Sequence, residues 1–173
     1  MFTKILVALD RSSSNEQVFA EAIAIAKATS ASLILLHVLS PEEEGSPDIS
    51  LMREDYYPGL SSEIAEMHRQ QWREFENQGL AMLRSRTEQA TAAGIKTESQ
   101  QIFGNPSRTI CDAARTWEAD LIVLGRRGHS GLKELFLGSV SNYVLHHAPC
   151  SILTVQAVSK ASSSPSQKQQ VVT

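Results

Sequence analysis

The sequence predicts a doubly wound, mostly parallel α/β sandwich, and three observations carry that expectation. The short runs TKILVALD, ASLILLHVLS and ADLIVLG are continuously apolar rather than alternating, as strands buried on both faces must be. Between them lie longer stretches with helical spacing and helix-boundary residues. The two patterns alternate through the whole chain, which is the order of βα units in one sheet.

Taken in order, TKILVALD is an Ile-Leu-Val strand that ends in an acid, Asp10. Ser13 followed by Glu16 has capping-box spacing and should open the first helix, VFAEAIAIAKATS. ASLILLHVLS is the second strand; short links on both sides of the helix make the two strands parallel with a right-handed crossover. From Pro41 to Leu60 the composition turns to Glu, Gly, Pro, Ser and Tyr, the mark of a long irregular loop. A polar helix follows over roughly 61–93, with Trp72, Phe75, Met82 and Leu83 on one stripe and Gly94 placed to end it. IKTESQQIF is a poorer, partly alternating strand and belongs near a sheet edge. Asn105-Pro106 starts the third helix as cap and first turn. ADLIVLG is the fourth strand, a helix over roughly 139–147 comes next, and CSILTVQ is the last strand. The expected domain is 1–156. The tail 157–173 is Ser, Gln and Lys with little to bury, which predicts disorder.

The chain has 173 residues, long enough to bury a substantial core in one domain. A net charge of −3 gives no general attraction to nucleic acid or to an anionic membrane, so neither partner is expected. No apolar run approaches the ~20 residues that span a bilayer, and the first residues do not read as a secretion leader. Cys111 and Cys150 lack CxxC or histidine spacing and read as reduced, buried thiols, which suits the cytoplasm.

Chemistry concentrates at the ends of two strands. After DLIVL come four glycines in fourteen residues, Gly125 to Gly138, and then a helix-like run. In open parallel sheets ligands sit beyond the carboxyl ends of the strands, where strand order reverses. If the first and fourth strands are neighbours there, Asp10 and the glycines face one cleft. Gly128 lets backbone approach a ligand closely. Gly138-Ser139 lies where a helix begins, so free N–H groups and the helix dipole point to one place, and Ser139 and Ser141 add hydroxyl donors. A glycine-rich turn alone is more often only a turn.

The arrangement Gly125-x2-Gly128-x9-Gly138-Ser139, preceded by DLIVLG, resembles the nucleotide-binding signature of the universal stress protein family, in its ATP-binding branch. KILVALD, LILLHV, Gly104-x-Pro106 before ICDAA, and APCSILTV resemble other parts of that family, over about 3–155. The resemblance implies strand order 3-2-1-4-5, with the first and fourth strands adjacent. It implies that Asp10 lies near the ribose or a Mg²⁺ carried by the phosphates, and that Val38 holds adenine through its backbone. Leu124 and Gly125 would flank base and ribose; Gly128, Gly138, Ser139, Val140 and Ser141 would wrap the phosphates. Ala8 and Leu9, leading into Asp10, are counted with these contacts, although some nucleotide-binding relatives carry proline at the Ala8 position. The implied cofactor is ATP, with Mg²⁺. The implied assembly is a homodimer through the last strand, Cys150 to Val155, which would otherwise leave an unpaired apolar edge. A regulatory protein partner is implied without an identity.

Bland readings stand beside these. Arg126, Arg127, His129 and Lys133 could neutralise a polyphosphate or form a solvated loop, with Arg127 or Lys133 the better candidates. His37 reads as a hydrogen-bonded structural histidine. His146-His147 does not read as a metal pair, because adjacent helical residues point about 100° apart and no carboxylate or cysteine joins them. For phosphoryl transfer the cleft would supply positioning and charge neutralisation, but no Walker A motif or paired acids orient a nucleophile. Ser12, Ser13 and Ser14 read as helix-capping residues. The expected function is an ATP-binding, dimeric stress-response switch. A slow Mg²⁺-dependent ATP hydrolase or self-phosphorylating protein, and an interaction module without nucleotide, remain the alternatives.

Overall fold

The computed structural model describes residues 1–12, 14–48, 62–126 and 138–156. In chain order the elements are β1 (Lys4–Leu9), α1 (Asn15–Thr29), β2 (Ser32–Leu39), α2 (Ser62–Ala92), β3 (Thr97–Phe103), α3 (Pro106–Thr116), β4 (Leu121–Gly125), α4 (Ser139–His147) and β5 (Ser151–Val155). The five strands form one sheet in the order β3-β2-β1-β4-β5, and every neighbouring pair is parallel.

β1 is the centre of this sheet because its sequence can be buried on both sides. Ile5, Val7 and Leu9 point into a core layer under α1 and α2, with Val18, Phe19, Ala22 and Leu83. Leu6 points the other way, into a layer with Ile110, Cys111, Ala114 and Val144 of α3 and α4. At its amino end, the Asp120 carboxylate accepts from Thr3 N at 2.7 Å, Thr3 Oγ1 at 2.7 Å and Lys4 N at 3.2 Å, while Asp120 N donates back to the Lys4 carbonyl at 2.9 Å. Burial raises the Asp120 pKa, but these donors outweigh it and hold the carboxyl below its ordinary value. The reciprocal bonds fix β1 against β4 at Ile5–Leu121 and Ala8–Leu124.

Local signals place two helix ends. Asn105 caps α3 by accepting from Arg108 N at 3.2 Å, with Pro106 as its first residue. Gly94 follows α2 at φ +80°, a left-handed conformation that glycine adopts without strain. The edge position of β3 agrees with its exposed Glu98, Ser99 and Gln100. The start of α1 departs from the expected capping box. Its cap is Ser14, whose side chain makes no capping bond, and Ser13 lies outside the described residues. The Ser12 and Ser14 hydroxyls bond each other at 2.7 Å, and Ser12 also donates to Asp10 Oδ1. The Asp10 carboxylate takes the Ser12 hydroxyl, and Ser12 in turn engages Ser14.

On the α1/α2 face, helix α2 presses against β2 and β3 at Gly79. A Cβ there would stand 2.6 Å from His37 Nδ1 and would also meet Gln101 Oε1. Alanine favours a helix interior by about 1 kcal/mol over glycine, yet here overpacking should prevail. Gly79→Ala is expected to lower stability by about 1–3 kcal/mol in urea unfolding; a gain would show that the approach of α2 is not close.

Candidate functional site

β1 and β4 are adjacent, and the helices that come after them pack on opposite faces of the sheet, α1 after β1 and α4 after β4. This parting opens a crevice beyond their carboxyl ends. Asp10 stands at its edge, half-buried, with Oδ1 accepting from Ser12 N at 2.9 Å. Asn15, buried at the head of α1, donates to the Asp10 carbonyl, and its Oδ1 accepts from Arg86 Nε at 3.2 Å. A buried amide thus pins the turn that carries Asp10.

The residues expected to surround a base lie on the α3/α4 side. Val38 and Leu124 are buried there, with Ala8 partly buried beside them; Val38 is in register with Ile102 of β3. Leu9 points away, into the α1/α2 layer, so only its backbone could serve the crevice. Gly125 ends β4, and a Cβ on it would lie 3.3 Å from both Ser14 Oγ and Val18 Cγ2. Packing against the start of α1 is therefore a second reason for glycine at this position.

α4 begins at Ser139 with Gly138 as its cap, and among the described residues no side chain caps it. The first intrahelical amide bond is Asn142 N to the Gly138 carbonyl at 2.9 Å. The N–H groups of Ser139, Val140 and Ser141 precede it, without an acceptor inside the helix. Ser139 is exposed, while Ser141 is 2 % exposed and its hydroxyl donates to the Gly138 carbonyl at 3.3 Å. Ser139 therefore presents its hydroxyl to solvent, whereas Ser141 can contribute mainly its amide. These groups suit an anion. Arg127, Gly128, His129 and Lys133 lie outside the described residues. Arg126 N donates to the Val155 carbonyl at 2.7 Å and its guanidinium to Gln156 Oε1 at 3.2 Å.

The residue that sequence reasoning missed is Glu43. It is 8 % exposed, and its carboxylate lies 3.1 Å from His37 Nε2 through both oxygens; Oε1 also accepts from Arg11 N at 3.1 Å. His37 itself is fully buried, a structural histidine as expected, with Nδ1 3.0 Å from Gln101 Oε1. His147 stacks on Tyr143 with ring centroids 3.9 Å apart and bonds its carbonyl. Among the described residues no group of three His, Cys, Asp or Glu side chains could hold a metal, and no helix is long and apolar enough to cross a membrane.

With this geometry in place, comparison with known proteins is decisive for the family. The sequence profile described as "Universal stress protein family" matches residues 1–156. The chain belongs to the universal stress protein family. It is 39% identical over 159 residues to universal stress protein Sll1388 of Synechocystis, covering 90% of this chain and 98% of that one. Universal stress protein YxiE of Bacillus subtilis is 35% identical over 156 residues, covering 90% and 100%. Among solved structures, UspA from Lactobacillus plantarum superposes with TM-score 0.64 at 28% identity, covering 89% of this chain and 97% of that one. A universal stress protein solved in complex with cAMP gives TM-score 0.59 at 24% identity, over 90% and 97%. A family protein from Arabidopsis thaliana solved with AMP bound gives 0.57 at 23%, over 89% and 91%.

The buried pair makes stability pH-dependent. Burial lowers the His37 pKa, but the bond and charge of Glu43, the bond to Gln101 and the charge of Asp10 together raise it above 6.5. A raised folded value favours folding fully below the unfolded pKa, and the gain is lost as pH rises through the folded one. The urea midpoint of the parent relative to His37→Gln should therefore fall as pH climbs above 6.5. A difference that stays constant, or grows with pH, would contradict the assignment.

Proposed function

We propose that this universal stress protein binds an adenine nucleotide, ATP in the first instance, in the crevice between the ends of β1 and β4, and works as a nucleotide-dependent regulator in the stress response. The observation that carries this reading is the start of α4, whose first three amides have no acceptor inside the helix and which follows β4, the strand next to β1 and its terminal Asp10. Phosphate oxygens would take the amides of Ser139, Val140 and Ser141 and the Ser139 hydroxyl. The base would lie against Ala8, Val38 and Leu124, with Gly125 beside the ribose and Asp10 near the ribose or a phosphate-borne Mg²⁺. AMP and cAMP in the two related structures support an adenine ligand in this fold. The glycine spacing resembles the ATP-binding branch and favours the triphosphate.

ATP hydrolysis is the second reading. Asp10 is the acid at the crevice, and Mg²⁺, if bound with ATP, would supply charge neutralisation. The family resemblance also implies that β5 pairs with its counterpart in a homodimer. β5 is the outer strand on its side of the sheet, with Ile152 and Leu153 only partly buried.

Nucleotide released from protein purified without additions, and again after incubation with ATP and Mg²⁺, tests the reading directly. Retained ATP close to one per chain is expected; no adenine nucleotide in either sample would overturn it, and steady ADP formation reduced in Asp10→Asn would favour the hydrolase. Ser139→Ala removes one donor to a charged group, which should weaken ATP roughly ten- to a hundredfold in calorimetry. Ile152→Asp or Leu153→Lys should convert the dimer to a monomer on a sizing column. A dimer persisting in both variants would place the interface elsewhere.

A further inference from the structure

His37 makes contacts that only one protonation state can satisfy. Its Nε2 faces the Glu43 carboxylate at 3.1 Å and its Nδ1 faces Gln101 Oε1 at 3.0 Å. The orientation of the Gln101 amide follows from its other end, where Nε2 donates to the Glu76 carbonyl at 3.2 Å. Both ring nitrogens therefore meet acceptors, and only the imidazolium donates from both. Glu43 Oε1 accepts in addition from Arg11 N at 3.1 Å.

One carboxylate thus spans two strand ends. His37 directly precedes Val38 on β2, and Arg11 directly follows Asp10 after β1. The surrounding groups come from every packed element. Asp10 adds its charge from the end of β1, Gln101 comes from β3, and α2 brings Gly79 and the Glu76 carbonyl. The Arg11 guanidinium turns outward, over the Phe75 ring at 4.6 Å, and donates to Gln78 Oε1.

We propose that Glu43 is a positioning residue of the nucleotide crevice, holding the Arg11 amide, and through it Asp10, at a set distance from Val38, and that protonated His37 is what holds Glu43 in place. This rests on the nucleotide reading above. When His37 loses a proton, one of its two contacts becomes a lone pair against a lone pair. Either Gln101 turns its amide and gives up Glu76, or Glu43 draws back and releases Arg11. In the first case Glu43 keeps its bond to the ring but loses the positive charge beside it, and in the second the bond itself opens; either way Glu43 is held less firmly, and nucleotide affinity falls as pH rises.

The test is calorimetric titration with ATP of the parent, Glu43→Gln and His37→Gln between about pH 5.5 and 8.5, where histidine titrates. Salt at about 1 M shortens the Debye length to ~3 Å and removes long-range attraction. The phosphate titration of ATP is common to all three proteins and cancels in the ratio of their affinities. The parent should bind roughly three- to tenfold more tightly than Glu43→Gln at the acid end, as expected for one weakened bond to a charged group. That ratio should shrink towards one at the alkaline end. A measurement without substitution accompanies it: the His37 ring signal in NMR should titrate at higher pH when ATP is bound, by reciprocity. A ratio constant across pH in a parent that binds ATP, or a His37 titration unmoved by ATP, overturns the positioning role and leaves nucleotide binding intact. No ATP binding by the parent at any pH overturns both.

Discussion

The parting of the chain on either side of the β1–β4 pair is the constraint on which the rest of the structure depends. Because the two strands are parallel and neighbours, their carboxyl ends lie level. Because the helix that follows β1, α1, packs on one face and α4 packs on the opposite face, no helix among the described residues closes the space between. The burial of β1, with Ile5, Leu6 and Val7 at 0 % exposure, makes this pair rigid. The Asp120 clamp at the amino end sets its register. A crevice framed by such a pair inherits its precision from the core, and short polar turns such as Ser12–Asp10 need add only local order.

Much of this was legible beforehand because it is written in local chemistry. Short continuous apolar runs bounded by turn residues read as strands buried on two faces, so β1, β2 and β4 follow from composition. β3 is more polar, and its edge position explains why. Asn105-Pro106 and Gly94 are backbone signals whose meaning does not depend on distant residues. The strand order came from family resemblance, since no single strand encodes which neighbour it will take. The α1 cap falls at Ser14, one residue later than the capping-box spacing predicts, because that spacing is a local rule, whereas the Ser14 hydroxyl here bonds Ser12, which in turn donates to Asp10 outside the helix.

Glu43 shows the limit more sharply. It sits in a run of three glutamates, Glu42 to Glu44, in a stretch rich in loop-forming residues. Nothing in that run marks the middle acid as the buried one. Its burial follows from a tight turn, Glu43 N to the Ser40 carbonyl and Ser46 N to the Glu43 carbonyl, both at 3.1 Å, and from a histidine six positions earlier facing inward. A buried cation without a nearby anion is costly, and this pairing answers the need. Only a pattern linking an inward strand histidine to an acid just after the strand could have suggested it.

The two tryptophans of the chain fall at opposite ends of the sheet. Trp72 is buried against Phe75 and Leu39, beside Phe103, at the carboxyl end. Trp117 lies at the end of α3, its carbonyl accepting from Lys4 Nζ at 3.1 Å near the start of β1. The protein therefore carries its own pair of optical probes, one on the crevice side and one on the side opposite. Loosening confined to the crevice would alter the emission of one indole and leave the other unchanged, whereas global unfolding would change both together.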